Sequence, residues 1–228
     1  RTGSAKSTVQ RCLDTLFGAG WIDAAPDPAT GARSAWTLSD RVGRLGPADS
    51  FDLVELARPI TAGLSASTGE AVHLVALDGS DVVLLDRTQG SGPVQVVVPA
   101  GHRVPAYAAA TGKAMLAALA PADRDRHLPS RLQPLTSQTI TTRSALRAEL
   151  DEIRARSWAA NQGEWESSVA AVAAAIVTDD AVVGALSVSS TPDRLPADRI
   201  AQIAPRVVSA AREIATIIAR RTITSSRA

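Results

Sequence analysis

The sequence predicts an α+β protein, and three of its features say so. Short runs of alternating or continuous apolar residues fall into two groups, amphipathic stretches stand before, between and after them, and turn residues punctuate most junctions. With 228 residues, 45% hydrophobic and 21% charged, the chain is long enough for one large folded domain or two smaller ones. Only 3% of residues are aromatic, so the core is built from Ala, Val, Leu and Ile, and aromatic stacking platforms for single-stranded nucleic acid are excluded. The single cysteine, Cys12, excludes an internal disulfide framework and a cysteine-clustered metal site, and it fits a cytoplasmic protein. A membrane span needs about 18 to 20 apolar residues. The longest candidate, residues 169–177, stops at Thr178-Asp179-Asp180, so no membrane partner is expected.

From the N-terminus, Val9, Cys12, Leu13, Leu16 and Phe17 recur at helical spacing and predict a helix over 6–17, ended by Gly18 and Gly20. Residues 21–24 read as a strand, 26–31 as a tight turn and 35–38 as the returning strand. The stretch 43–50 has almost nothing to bury, which predicts a first domain over 1–46, a linker over 47–51 and a second domain over 52–228. There, Asp52 caps a helix from 53 to about 68, and Gly69 stops it. Residues 71–77 alternate as a strand, Asp78-Gly79-Ser80 turns the chain, and 82–86 and 94–98 complete a three-stranded antiparallel meander. Helices follow over 111–119 and over 144–156, the second with Leu146, Leu150 and Ile153 on one face. Strands over 158–161, 169–177 and 181–188 and a long closing helix over 196–220 complete the chain. Two antiparallel strand groups separated by helices predict a sheet with its helices on one face.

The net charge of +1 is uninformative as a total. Its distribution is not: residues 1–46 hold six Lys and Arg against four Asp, so the basic excess lies at the N-terminus. Catalytic constellations are missing. His73, His102 and His127 have no i,i+4 partner, there is no GxSxG or HExxH pattern, and His73 reads as a strand residue. Thr111-Gly112-Lys113-Ala114 fails as a phosphate-binding loop, because Tyr107 stands where the loop needs glycine and Ala114 where it needs a hydroxyl. Glu164 and Glu166, two apart, suit a solvated loop better than acid/base work. Cys12, on the apolar face of the first helix, is expected to be a small buried residue rather than a reactive thiol. No cofactor is implied.

The first helix is the sharper feature. Ser4, Lys6, Ser7 and Thr8 gather short hydroxyls and a cation at its N-terminal end, suited to phosphate and base edges, and Gln10 and Arg11 can donate in pairs to bases in a major groove. The following ribbon, with Arg33 at its tip, has the form of a wing contacting the flanking groove. An ordinary amphipathic helix with a wet side is the competing reading, and helix and ribbon together favour DNA.

These residues and others along the chain resemble the IclR family of bacterial transcriptional regulators. The matches are Thr2-Gly3, Lys6-Ser7-Thr8-Val9, Leu13 and Thr15-Leu16, then Asp52-Leu53, Ala57-Arg58-Pro59, Thr68-Gly69-Glu70, Gly101, Pro105 and Gly112-Lys113-Ala114. Further on stand Thr139, Thr142, the 150–154 helix, Glu164, Ala173-Ala174 and Ser187-Val188-Ser189. The resemblance covers nearly the whole chain. It implies an N-terminal winged helix-turn-helix, here lacking its first helix and most of its second, and a GAF-like or profilin-like effector-binding domain. It also implies homodimers or homotetramers, a double-stranded DNA operator, and a role as a ligand-responsive regulator, a repressor of a catabolic operon before an activator.

The resemblance further implies a small-molecule effector between the sheet and the loop opening the Gly112-Lys113 helix. Ala110, Thr111, Asn161, Ala171, Ser187 and Ser189 match its polar positions, and Val96, Val104, Val169 and Leu186 its apolar walls. Ser187 and Ser189, two apart on a strand, share a face, and the N–H groups opening the 111–119 helix suit a carboxylate. The alternative leaves the two serines facing solvent on an edge strand. Asn161, Ala171 and Ala110 depart from the family pattern towards a neutral, small site with no buried Arg or Lys for a dianion, so a monocarboxylate or a small aromatic or hydroxylated metabolite is expected. An enzymatic or purely ligand-sensing α+β domain, and a ligand-free interaction protein with a filled interior beside Ser187 and Ser189, are the alternatives from other classes.

Overall fold

A computed structural model describes residues 6–18, 22–26, 33–38, 50–92, 96, 98–178 and 181–225. It divides into two compact units, Arg1–Asp52 and Leu53–Ala228. In the first, helix α1 (Lys6–Gly18) packs on strand β1 (Ile22–Pro26), which pairs antiparallel with β2 (Arg33–Leu38). Both strands run longer than the apolar pattern predicted. The Phe17 ring meets Trp36 edge-on with centroids 6.0 Å apart, and Ile22, opposite Leu38, is buried. Cys12 is exposed, which corrects its expected burial. The partly shielded positions of α1 are Val9, Leu13 and Phe17, four apart, so the helix is turned and Cys12 and Leu16 fall outside the contact. Ser4, residues 27–31 of the turn predicted over 26–31 and the stretch 43–49 lie outside the described residues, and Pro26 ends β1.

The second unit is built on an antiparallel sheet. Its strands are β3 (Ala71–Asp78), β4 (Asp81–Thr88), β5 (Arg103–Pro105), β6 (Ala159–Gln162), β7 (Ala170–Val177) and β8 (Val182–Ser190), in the order β5-β4-β3-β8-β7-β6 among the described residues. The helices are α2 (Ser50–Thr68), α3 (Ala110–Ala118), α4 (Pro121–Arg126), α5 (Arg143–Arg156) and α6 (Ala197–Ser225). They cover both faces, not one as predicted. Val75, Ala171 and Ala185 face a core with Met115 of α3 and Leu146 and Leu150 of α5. Val72, Val172, Leu186 and Val188 face a second core with Leu53 and Ala57 of α2 and Val207 and Ile214 of α6. The reason is visible in β7: Ala-Ala-Val-Ala-Ala-Ala-Ile-Val alternates nothing, as befits a strand buried on both sides, and its alanines admit helices closely on either face.

The meander also differs from expectation. Val96 and Val98 are not in a strand, and β5 at 103–105 takes the third place, with Val82 opposite Val104. The Leu84 N–H donates to His102 O and Leu84 O accepts from Gly101 N, so the edge of β4 up to Leu84 is taken by 101–105; residues 94, 95 and 97 of the expected strand lie outside the described residues. A 3-10 turn (Ala106–Ala108) then leads into α3. Gly112 is required there, because a Cβ would run into the Ala106 backbone.

Candidate functional site

The start of α3, the α3/α5 face of β3, β4, β8 and β7, and Val96, Val98, His102 and Val104 border a cavity of about 80 Å³. Its floor is polar. Ser187 and Ser189 project together from β8, which lies in the middle of the sheet, so the edge-strand alternative fails, and both are buried. Their hydroxyls are 3.2 Å apart, and Ser189 Oγ is 3.1 Å from His73 Nδ1 on β3. Burial foremost, and Arg87 second, push the His73 pKa down to about 4, so the imidazole is neutral near pH 7. Its Nε2 is buried and has no hydrogen-bond partner.

The wall opposite is the N-terminus of α3, where Ala110 and Thr111 border the cavity. Ala109 provides no side-chain cap and no acidic residue stands in the first turn, so the first N–H groups and the helix dipole are free to receive an anion. Asn161 also borders the cavity, but both ends of its amide are engaged: Nδ2 donates to Ala108 O at 2.7 Å, and Oδ1 accepts from Glu164 N at 3.0 Å. It ties β6 to the turn before α3. Val96, Val104, Val169 and Ala171 supply apolar lining. The space beside Ser187 and Ser189 is not filled, which removes the ground for a ligand-free interaction protein.

Leu186 is a correction. Period two along β8 that turns Ser187 and Ser189 to the cavity turns Leu186 to the other face, where it is fully buried in the α2/α6 core. Glu164 is another: its carboxylate does not lie in a solvated loop but receives Lys113 Nζ at 2.6 and 2.8 Å. Thr139 Oγ1 holds the Glu164 carbonyl at 2.6 Å, and Thr136 Oγ1 donates to Gly163 O at 2.6 Å. Lys113 is therefore engaged away from the cavity. Trp165 and Arg87 were not singled out by the sequence, and His73 and His102 were weighed there only as catalytic candidates, with His73 read as the strand residue it is. His73, His102 and Trp165 line the cavity, with the His102 and Trp165 rings 5.7 Å apart, and Arg87 stands opposite His73. A cation therefore adjoins the cavity floor where none was expected, with its Nη1 buried and unpartnered. Only the even spacing of His73 and Val75 along a strand hinted at the face that His73 shares.

On α1, Ser7, Thr8, Gln10 and Arg11 are exposed, and Gln10 Nε2 donates to Asp14 at 3.2 Å. Lys6 opens α1 and Arg33 opens β2. No group of metal-ligating side chains occurs among the described residues, and no described helix is long and apolar enough to cross a membrane.

The family model described as bacterial transcriptional regulator IclR, C-terminal, matches residues 46–216. The chain belongs to the IclR family. Its members are HTH-type regulators of transcription rather than enzymes, pairing DNA binding with a small-molecule effector, and this chain is an IclR-family transcriptional regulator. It is similar to the HTH-type transcriptional regulator Rv1719 of Mycobacterium tuberculosis, 36% identical over 77% of this chain and 66% of that protein. The fold matches that of a putative IclR transcriptional regulator from Silicibacter sp. TM1040, with a TM-score of 0.73, 30% identity, and coverage of 95% of this chain and 85% of that one. It also matches an IclR homolog from Microbacterium hydrocarbonoxydans complexed with 4-hydroxybenzoate, with a TM-score of 0.69, 23% identity, and coverage of 93% and 85%.

Proposed function

We propose that this IclR-family chain is a cytoplasmic repressor of a catabolic operon, released or reset by a small organic acid bound between β8 and the start of α3. The carrying observation is the buried Ser187, Ser189 and His73 cluster facing the uncapped helix start across an open cavity. The carboxylate sits on the N–H groups of α3, and the serines orient it. Size narrows the choice. About 80 Å³ is roughly half of the ~150 Å³ apolar cavity that admits benzene in an engineered protein, so an aromatic acid needs the walls to yield and a short aliphatic acid does not. The Microbacterium homolog, complexed with 4-hydroxybenzoate, shows an acid of the larger kind with this fold. Of the expected monocarboxylates and small aromatic or hydroxylated metabolites, the aliphatic acids fit as the cavity stands.

At the other end, Ser4, Lys6, Ser7, Thr8, Gln10 and Arg11 meet double-stranded operator DNA, with Arg33 on the wing. The domain over 1–46 is joined to the effector domain over 52–228 through the linker expected at 47–51, of which Ser50 and Phe51 already belong to α2. In a homodimer or homotetramer, the effector alters the geometry between effector domains and so the spacing of paired recognition helices, which must match half-sites about 34–36 Å apart or a multiple of it. The test is a gel shift with the promoter region beside the gene, repeated with short carboxylic acids, alongside calorimetry of the same acids. An acid that binds and changes operator affinity is the expected result. Loss of neither binding nor operator response in a Ser187→Val/Ser189→Val variant overturns the site.

A further inference from the structure

The polar floor of the cavity continues past His73. Strand register places Ser187 of β8 opposite His73 of β3, and His73 opposite Arg87 of β4. Residues directly opposite in antiparallel strands share a face, so the three side chains form one row across the sheet. Strand spacing of about 4.8 Å puts the Ser187 and Arg87 backbones about 10 Å apart. Two nitrogens along this row, His73 Nε2 and Arg87 Nη1, are buried with no partner at full hydrogen-bonding geometry, and the Val96 backbone is the one polar group that still acts on the imidazole. Buried polar atoms in native folds are nearly always satisfied, and a bare cationic donor is the costlier kind to leave.

The acidic side chains of the unit do not answer this cation. Asp86, next to it on β4, is opposite Leu74 and turns to the α2/α6 face. Glu70 is engaged by Arg194 and Arg199, Asp78 and Asp81 by Arg103, and Glu164 by Lys113. What is missing beside Arg87 is an acceptor, and the neighbouring cavity is where one arrives.

We propose that Arg87 Nη1 and His73 Nε2 form a second anion subsite, and that the effector is a short aliphatic dicarboxylate spanning from the α3 N-terminus to this pair. This rests on the effector reading above and narrows it to a class. Both groups donate: arginine can only donate, and with Ser189 donating to Nδ1 the neutral imidazole presents Nε2–H. A monocarboxylate of the same length fills the same space but leaves both nitrogens bare.

The test compares acids of equal chain length, succinate with butyrate and glutarate with pentanoate, by calorimetry on the full chain. A charge-assisted hydrogen bond at a buried site predicts dicarboxylate binding about ten- to a hundredfold tighter. Arg87→Met brings the dicarboxylate down to the monocarboxylate's affinity and leaves the monocarboxylate unchanged, and Arg87→Gln, which retains a polar side chain, does so in part. Equal affinities within each pair in the wild type, or a preference that survives Arg87→Met, overturn the subsite while leaving the effector site standing. Binding of neither acid of a pair overturns both.

Discussion

Lys113 is about 1% exposed, with Nζ 2.6 Å from one oxygen of Glu164 and 3.6 Å from Glu149. Lys113→Met keeps the length and volume of the side chain and strips Glu164 of its cation. Glu149 also faces Arg156 at 3.3 Å and is the more exposed carboxylate, so the loss falls on Glu164. Removing one partner of a buried pair costs about 3–5 kcal/mol, because the remaining charge stays buried. At about 2–4 °C per kcal/mol for a unit of this size, the midpoint of thermal unfolding falls by on the order of 10 °C. Burial already holds the Glu164 carboxyl above its usual pKa, with Lys113 pulling it back down. Without Lys113 it rises further and the carboxyl keeps its proton to higher pH. The deficit against wild type therefore shrinks as pH falls, because a protonated Glu164 is no longer a bare charge. Urea unfolding followed by circular dichroism, at about pH 7.5 and about pH 5, measures both effects. Lys113→Met/Glu164→Leu should recover most of the loss. A cost below about 1 kcal/mol, the size of a surface pair, or a double variant no more stable than the single, refutes the reasoning.

His73, neutral in the native state with its pKa lowered to about 4, binds fewer protons than the unfolded chain between that value and the ordinary 6.5. Its contribution is therefore complete above pH 6.5 and lost as pH falls towards 4, by about 3 kcal/mol at full extent. His73→Gln should flatten that part of the stability profile, and parallel urea midpoints for variant and wild type would argue against it. Trp165 borders the cavity, so an effector acid should change tryptophan emission in the wild type and leave it unchanged in Trp165→Phe, with binding by calorimetry still measurable in both. Arg11→Ala should relax base preference in operator gel shifts, whereas Lys6→Ala should weaken all duplexes and lower the salt slope by about one; unchanged affinity in both would remove α1 as the reading helix.

Periodicity made the order of elements legible, but it did not reveal how the sheet is covered. A strand such as β7 buried on both faces carries no alternation to read, so the second helix layer was invisible locally. Of the strand expected at 94–98 only Val96 and Val98 are described, and neither is in a strand: valines are good strand formers, yet pairing depends on whether a neighbour's hydrogen bonds are free, and Gly101 and His102 take those of Leu84 on β4. The cavity residues carried over from the family pattern came together except Leu186, which the two-residue period of its own strand contradicts. Arg87 and His73 were not legible because their meaning lies in register across three strands, and register is set by the hairpin at 79–80 and by long-range pairing of β3 with β8.

An effector shifts an equilibrium only through contacts that differ between the two states, so the groups left unsatisfied without it are the ones able to report it. Most polar atoms around this cavity are already engaged. Asn161 is bonded at both ends, Ser187 and Ser189 bond to each other, and Lys113 is held by Glu164. Those contacts fasten β6 and the 161–164 loop to α3, so an acid arriving at the helix start meets a wall that does not have to be organised first. The groups without a partner of good geometry are the first N–H groups of α3, and His73 Nε2 and Arg87 Nη1. A ligand touching only the first of these gains affinity from a helix that is already fixed. One that also reached Arg87 would add a contact on β4 that the ligand-free chain lacks, and a contact of that kind is what can bias one part of the effector domain against another.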